Sequence, residues 1–254
     1  MLEHTFHTPL PATLEVSILS GDIEVETGGG EETTLTIDGD ERLLEDVEVR
    51  HDGGRVVVKL RGRKRVGFEL SLGSLIFGNE GLRVQARVPH GAGVKVKTAS
   101  ADTQVAGHLR ALDVDSASGD VRVRGEIAEA ATVKTISGDV ELERVDGDLS
   151  VQCVSGDIRA RAVAGDVDTK SVSGDIRLEA LSSGDVRFTS VSGDIEIGIA
   201  PGSMIDVDAG STSGDLTSDV PLASEPLLGE EGHAPTVVVR GRTVSGDVRV
   251  FRAG

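Results

Sequence analysis

The chain has 254 residues, with 26 basic and 43 acidic side chains and a formal net charge of -17. A surface this acidic repels phosphate backbones, which argues against a nucleic-acid partner. Aromatic residues make up only 2% of the chain, so the core must consist of Val, Ile, Leu and Ala, a composition that favours a repetitive interior. The single cysteine excludes an intrachain disulfide bond.

The N-terminal region, residues 1–93, is predicted to form an antiparallel β-sheet or sandwich that caps the rest of the chain, because an uncovered sheet end invites edge-to-edge association. Six segments have the alternating pattern or turn-bounded length typical of strands: Thr13–Leu19, Ile23–Thr27, Thr33–Asp38, Val47–His51, Arg55–Leu60 and Arg83–Val88. The first residues lack the basic and apolar regions of a secretory signal. We therefore expect a cytoplasmic location, with peripheral attachment to the inner face of the membrane as a variant.

One segment, Arg61 to Phe77, breaks the acidic pattern. Its basic residues are followed by an apolar stretch that holds two of the five Phe residues of the chain. Two interpretations stay open: a hairpin whose apolar side packs on the sheet, or a surface that docks a membrane-associated protein or an anionic lipid. The interaction candidates are Arg61, Arg63, Lys64, Arg65, Phe68 and Phe77.

Residues 94–216 carry a repeated Ser-Gly-Asp motif that is followed by Ile, Val or Leu. The strongest copies recur every 18 or 19 residues, with weaker copies midway between them: Asp120, Asp139, Asp157, Asp175 and Asp194, alternating with Asp148, Asp166 and Asp185. This regularity predicts a parallel β-solenoid with about 18 residues per coil, each coil made of two nine-residue strands. We expect the coils to be right-handed.

The alternation within each strand predicts which side chains point inward. Ile176 and Leu178 are expected in the core, with Arg177 and Glu179 in water, and stacked coils would align such aliphatic side chains in columns. Val172 and Val191, just before the next Ser-Gly-Asp, are predicted as further inward anchors. The motif glycine supplies the backbone freedom that a corner needs.

The C-terminal region, residues 217–254, is predicted to contain a loop, Thr217 to Pro235, followed by strands at Thr236–Arg240 and Val244–Phe251. We expect these two strands to cap the C-terminal end of the solenoid.

The stacked aspartates at each corner have two possible roles. They can accept hydrogen bonds from turn N–H groups, as in Asx-turns, or they can bind Ca²⁺, as some nonapeptide repeats do. The candidate calcium ladder is Asp139, Asp157, Asp175 and Asp194. The hydrogen-bonding role is favoured, because each turn has a single Gly with the Asp directly after it. Cys153 is expected to be a small core or turn residue.

The chain resembles a bacterial family of unknown function, DUF4097, whose members carry the label putative adhesin. The resemblance rests on a leading β region, on Ser-Gly-Asp-Ile/Val coils at nine- and eighteen-residue spacing, and on a closing copy of the motif at Ser245–Val248. It covers nearly the whole chain. It implies a parallel β-helix fold, and the association of some relatives with the cell envelope and its stress responses makes envelope association an expectation.

Three functions follow from these observations. The first is a non-enzymatic scaffold or interaction module, because we find no nucleophile, phosphate-binding or dinucleotide motif and therefore expect no enzyme activity and no cofactor. The second is an envelope-stress accessory protein that docks on a membrane partner or anionic lipid through residues 61–77. The third and weakest is a carbohydrate-acting β-helix enzyme, which the scarcity of aromatic platforms disfavours. The expected partner is a protein or membrane-associated protein, with self-association through the solenoid ends as a further possibility.

Overall fold

The structure is a computed structural model and describes residues 1–61, 81–220 and 235–253. The N-terminal elements are β1 (Leu2–His7), β2 (Thr13–Gly28), β3 (Glu32–Asp38), α1 (Glu41–Glu45), β4 (Val47–Asp52), β5 (Arg55–Leu60) and β6 (Leu82–Pro89). The repeats form β7 (Ala92–Ser118), β8 (Val121–Ser137), β9 (Val140–Val145), β10 (Asp148–Ser155), β11 (Ile158–Val163), β12 (Val167–Ser173), β13 (Ile176–Leu181), β14 (Gly184–Ser192), β15 (Ile195–Ile199), β16 (Met204–Ser213) and β17 (Leu216–Ser218). The last strands are β18 (Thr236–Ser245) and β19 (Val248–Arg252).

Successive coils stack as parallel strands on two sides of the molecule. We call the side that contains β10, β12, β14, β18 and β16 face 1, and the side that contains β9, β11, β13, β15, β19 and β17 face 2. The three longest strands, β2, β7 and β8, pass around corners and contribute to both faces. The predicted all-β parallel solenoid is confirmed; the hand of the coil stays a prediction.

Matching residues of neighbouring coils lie side by side in the core. On face 2, Ile158 pairs with Ile176, and Ile176 with Ile195, and all three side chains are buried. Leu178 is buried in the next column, as the alternation predicted. Because every coil repeats the same inward positions, the core is a set of continuous aliphatic columns rather than a compact cluster.

The prediction that Val172 and Val191 are inward anchors was wrong, since both side chains are 47% exposed. In β12 the buried positions are Val167, Thr169 and Ser171. Successive side chains of a strand point to opposite sides, so Val172 must point outward when Ser171 points inward. The inward position next to the corner is therefore occupied by a small polar residue.

At the N-terminal end, β2 forms a coil of its own and hydrogen-bonds in parallel to β7. On its other side β2 pairs with β5 on face 1 and with β6 on face 2, and β1, β3 and β4 add antiparallel strands outside them. All six segments predicted as strands for this region are strand, but two of them, Thr13–Leu19 and Ile23–Thr27, are joined in the single strand β2; β1 and α1 were not predicted. Hydrogen bonds between β2 and β7 therefore join the predicted N-terminal region, residues 1–93, to the repeats that follow it. The division of the chain into three domains stays a prediction.

At the C-terminal end, the chain order and the spatial order differ. The last strands, β18 and β19, were expected to cap the solenoid. Instead they lie between the coil of β14 and β15 and the coil of β16 and β17. The second strand from the sequence prediction begins later, at Val248, and β18 continues to Ser245.

Both ends of the solenoid therefore follow the same rule: the coil nearest the chain terminus is the second coil in space. The coil of β2 lies inside β5 and β6, and the coil of β18 and β19 lies inside β16 and β17. Both of these coils are hydrogen-bonded along both edges, whereas the first strand, β1, pairs with β3 alone among the described residues. Fraying of the C-terminal end, usually among the least stable parts of a fold, must therefore break two ladders.

Candidate functional site

The Ser-Gly-Asp corners form a ladder of hydrogen bonds along the solenoid. The backbone N–H of Asp157 donates to Oδ1 of Asp139 at 3.0 Å, and the same bond joins Asp175 to Asp157 at 2.9 Å and Asp194 to Asp175 at 2.8 Å. In the opposite direction, the N–H of Ile158 donates to the backbone carbonyl of Asp175 at 2.9 Å. In spatial order the ladder contains Asp102, Asp120, Asp139, Asp157, Asp175, Asp194, Asp247 and Asp215.

These bonds explain how like charges can stack at each step of about 4.8 Å. A hydrogen bond from a backbone N–H to an ionised carboxylate is stronger than one between neutral groups, and it offsets much of the repulsion between neighbouring aspartates. A second, shorter ladder joins Asp148, Asp166 and Asp185 at the opposite corner. The corner aspartates are thus positioned to hold the turns.

The calcium hypothesis for Asp139, Asp157, Asp175 and Asp194 gains no support from this geometry, because one oxygen of each carboxylate already accepts a backbone hydrogen bond. Within the described residues, no group of three or more His, Cys, Asp or Glu side chains is arranged to hold a metal ion. Calcium binding stays a hypothesis that a titration can test.

The corner glycines are required by the same stacking. Gly174 has a φ of +122°, and a Cβ added to it would lie 2.2 Å from the carbonyl oxygen of Gly156 in the preceding coil. Any side chain would therefore meet backbone that cannot move without breaking the ladder. This close approach explains the Gly in the motif, and the ladder explains the Asp.

Face 1 carries a column of exposed aliphatic side chains, which we call the ridge: Ile136, Val154, Val172, Val191 and Val244, 45–58% exposed. The register places these five residues in five successive coils. Apolar side chains scattered singly on a surface are ordinary, whereas a continuous column indicates a contact surface. The sequence analysis did not predict this column, although Ile or Val directly precedes the Ser-Gly-Asp motifs at Ser137, Ser155, Ser173, Ser192 and Ser245, and the strand alternation places these residues outward.

A trough of about 740 Å³ runs along face 1 beside the ridge. One side is the ridge, and the far wall is the column of outward side chains two positions earlier in each strand, which includes Lys97, Asp115, Lys134, Gln152 and Lys170. Between the two columns lie Thr135, Cys153 and Ser171, whose side chains are buried. Lysine stems are apolar and only their ammonium groups need water, so this wall offers apolar surface with a charged upper edge. The volume lies within the range of ligand-sized clefts.

Face 2 has no comparable column of exposed aliphatic side chains among the described residues, and its outward positions carry charges that pair along the solenoid. Arg177 bonds to Glu196 at 2.7 Å, and Arg159 bonds to Glu179. Such exposed ion pairs add little stability but keep a surface well solvated. The contrast between the two faces marks face 1 as the better candidate for binding.

Cys153 lies between the two columns that line the trough, and its side chain points inward and is 4% exposed. Burial raises the pKa of its thiol. The neighbours in its column are Thr135 and Ser171, and on the next coil Ser190. Several members of this column cap the corner: the hydroxyl groups of Thr135, Ser190 and Thr243 each donate to a serine carbonyl two residues later at 3.2 Å.

Of the six interaction candidates, only Arg61 belongs to the described residues; Arg63, Lys64, Arg65, Phe68 and Phe77 lie outside them. The Arg61 guanidinium donates to Oε2 of Glu48 at 2.7 Å, and Arg50 donates to the other oxygen of Glu48. These two bonds lower the pKa of the Glu48 carboxyl to about 2, and the bond from Arg61 has the larger effect. Arg61 thus helps to close the β4–β5 hairpin. The docking role of the remaining five stays a prediction.

A comparison with protein-family models now decides the family, because the model described as Toastrack DUF4097 matches residues 12–251. The chain belongs to the Toastrack DUF4097 family. The resemblance inferred from the repeat motif is therefore confirmed. A comparison with the curated proteins found no match.

Solved structures similar to this Toastrack protein include a putative adhesin from Bacteroides fragilis, with a TM-score of 0.56 and 13% identity, covering 98% of this chain and 96% of that one. A putative lipid binding protein from Parabacteroides distasonis gives a TM-score of 0.48 and 14% identity, with 98% and 96% covered. A putative adhesin from Parabacteroides merdae gives 0.43 and 12%, with 98% and 95% covered. The first similarity shows a shared fold. No helix among the described residues of this Toastrack protein is long and apolar enough to cross a membrane.

Proposed function

We propose that this protein is a non-enzymatic, adhesin-like interaction scaffold that uses face 1 as its contact surface. The observation that carries the proposal is the ridge of Ile136, Val154, Val172, Val191 and Val244, which stays exposed on an otherwise acidic, charged protein. A solenoid held in register by corner ladders presents such a column rigidly, so little conformational entropy is lost on binding.

The similarity to structures named putative adhesin supports this proposal at the level of fold. Fold alone does not establish function. The support from chemistry is independent: face 1 offers apolar area and a lysine edge, and the conspicuous polar groups of the molecule, the corner aspartates, are engaged in structural hydrogen bonds.

Site-specific photo-crosslinking in the cells that produce the protein tests the contact surface. The photoreactive residue p-benzoylphenylalanine is placed at Val154 on face 1, and at Glu141 on face 2 as a matched control. The proposal expects protein adducts from position 154 and none from position 141. Equal adducts from both positions, or none from position 154, would overturn it.

The alternative of an envelope-stress accessory protein that docks on a membrane partner or anionic lipid rests on residues 61–77. Replacing Arg61, Arg63, Lys64 and Arg65 with Ser, and measuring cosedimentation with vesicles that contain or lack anionic lipid, tests it.

End-to-end association also stays a prediction: among the described residues, β16 and β17 each have a strand partner on one side only. The cytoplasmic location stays a prediction as well.

A further inference from the structure

The ridge on face 1 forms one side of the trough, since Ile136, Val154, Val172 and Val191 are among the residues that line it. The residues of the other wall lie two positions earlier in each strand: Val172 follows Lys170 and Ile136 follows Lys134, while Val154 follows Gln152 and Val191 follows Thr189. Ridge and trough therefore run together along these four coils. A surface that carries a ridge next to a trough can fit a copy of itself, as an isologous interface requires.

The repeat distance of the ridge selects the partner. Its side chains recur about every 4.8 Å, the spacing of neighbouring strands. An extended peptide lying along the trough advances about 3.3 Å per residue and presents side chains to one side about every 6.6 Å, so its side chains fall out of step with the ridge within two coils. A second solenoid has the same repeat and keeps step with the ridge over its whole length.

The charges beside the ridge select the orientation. The wall on one side has a net positive charge, because it carries Lys97, Lys134 and Lys170 against Asp115. Lys97 pairs with Asp115 and Lys170 with Asp168, which leaves Lys134 as the lysine of this wall with no such pair among the described residues. Beyond the ridge on the other side lie the corner serines and the aspartate ladder. With a two-fold axis along the solenoid, the lysine wall of one copy faces the Ser-Asp corner of the other. With an axis across the solenoid, lysine faces lysine and aspartate faces aspartate. Only the first arrangement is electrostatically complementary.

We propose that face 1 binds a second copy of this chain, with the two solenoids parallel and the ridge of each inserted into the trough of the other. This inference rests on the proposed function of face 1 and names the partner. Two sheets in contact lie about 10 Å apart, which suits interdigitating Val and Ile side chains.

The contact area determines how strong the association is. The six coils from Lys97 to Thr189 span roughly 24 Å, and the outward side of each strand is roughly 13 Å wide, which gives about 300 Å² per copy. Stable complexes bury about 800 Å² per partner. The expected dimer is therefore weak and reversible, and it forms at high protein concentration or when the chains are held close together.

Sedimentation velocity over a concentration series tests whether the dimer forms. The wild type is expected to shift from one chain toward two and to stop there, because an isologous contact is closed, whereas end-to-end stacking continues into longer assemblies. The double variant Val154→Lys/Val172→Lys should remain monomeric, and the face 2 variant Glu141→Lys should behave as wild type. A wild type that stays monomeric throughout, or that grows beyond two chains, overturns the proposal.

Disulfide cross-linking tests the orientation. The native cysteine is first removed by Cys153→Ser, because serine already occupies the equivalent positions 171 and 190 of the same column. A single cysteine then replaces either Ile136 or Val244, which lie at opposite ends of the ridge. A parallel dimer cross-links each variant with itself. Cross-linking only in a mixture of the two indicates the antiparallel arrangement and overturns the proposal. Adducts with other proteins from position 154, without self-association, would overturn this inference while the proposed scaffold function stands.

Discussion

The backbone N–H of Asp175 donates a hydrogen bond to Oδ1 of Asp157, 2.9 Å away and 18 residues earlier in the chain. The same bond recurs from coil to coil, so each aspartate stabilises the coil that follows it in space. A motif that is conspicuous in the sequence for its regularity is thus explained by a local hydrogen bond, without a ligand.

Replacing Asp157 with Ala should destabilise the protein by about 1 kcal/mol, because the N–H of Asp175 loses its acceptor at an exposed corner where water replaces it in part. Chemical denaturation measures the change. The matched control is Asp168→Ala, which removes only a surface ion pair with Lys170 and should change stability by less than about 0.5 kcal/mol. Equal effects of the two variants would contradict the structural role of the ladder.

Gly174→Ala should lower the free energy of unfolding by roughly 2–5 kcal/mol. The new Cβ would meet the carbonyl oxygen of Gly156, and the positive φ of Gly174 disfavours any side chain at this position. Gly29→Ala is the control, because a Cβ at Gly29 has no atom within 4 Å and its φ is not in the left-handed region. Thermal and denaturant unfolding compare the two variants. A mild effect at Gly174 would show that the coils are not packed this closely.

Two valines of the same strand test the direction of the side chains. Val167 is buried and Val172 is half exposed. Val167→Ala should lower the free energy of unfolding by about 2 kcal/mol, and Val172→Ala should change it by less than about 0.5 kcal/mol. The reverse order, measured by denaturant unfolding, would restore the original prediction that Val172 points inward.

The Glu48–Arg61 pair predicts a pH-dependent contribution to stability. Arg61 and Arg50 lower the pKa of Glu48 from 4.5 to about 2 in the folded chain. A lowered pKa means that the contribution is complete above 4.5 and is lost as the pH falls through about 2. A carboxyl titration followed by NMR should give Glu48 a midpoint near 2 in the wild type, and Arg61→Ser should raise the midpoint toward 4.5. A wild-type midpoint already near 4.5 would show that the pair does not form.

The Cys153 thiol should react slowly in the folded protein, because the side chain is 4% exposed and burial raises its pKa. Labelling with a thiol reagent at mildly alkaline pH measures the rate, and a denatured sample gives the reference. Reaction at the denatured rate under native conditions would mean that the Cys153 side chain is not buried in the core. Calcium should leave the rate and the melting temperature unchanged if the ladder serves only the turns.

Much of the fold could be read from the sequence, because the repeat gives the coil length and the alternation gives the core. Ile176 and Asp157 occupy the positions that their spacing indicated. The direction of Val172 differs from the prediction because the alternation through Thr169 and Ser171 places Val172 on the outside, whatever the hydrophobicity of its side chain. The lesson is that phase within a strand outweighs hydrophobicity at a single position.

Other features lie beyond a single sequence. Nothing in β18 distinguishes a coil that lies next to β14 from one that lies outside β16, because all these coils carry the same motif and differ only in their contacts. The partners of Arg61 were also unreadable, as Glu48 comes from the other strand of a hairpin. The ridge needed both the register and the exposure before its continuity could be recognised.

Deleting one coil tests the central claim most directly. Removal of residues 158–175 joins Asp157 to Ile176 and leaves every column in register, so the shortened protein should unfold cooperatively with the circular dichroism spectrum of the wild type. Removal of residues 158–166 joins Asp157 to Val167 and brings a face 1 strand onto face 2, so this variant should fail to unfold cooperatively. Equal behaviour of the two deletions, or a folded half-coil variant beside an unfolded full-coil variant, would contradict stacking in eighteen-residue register.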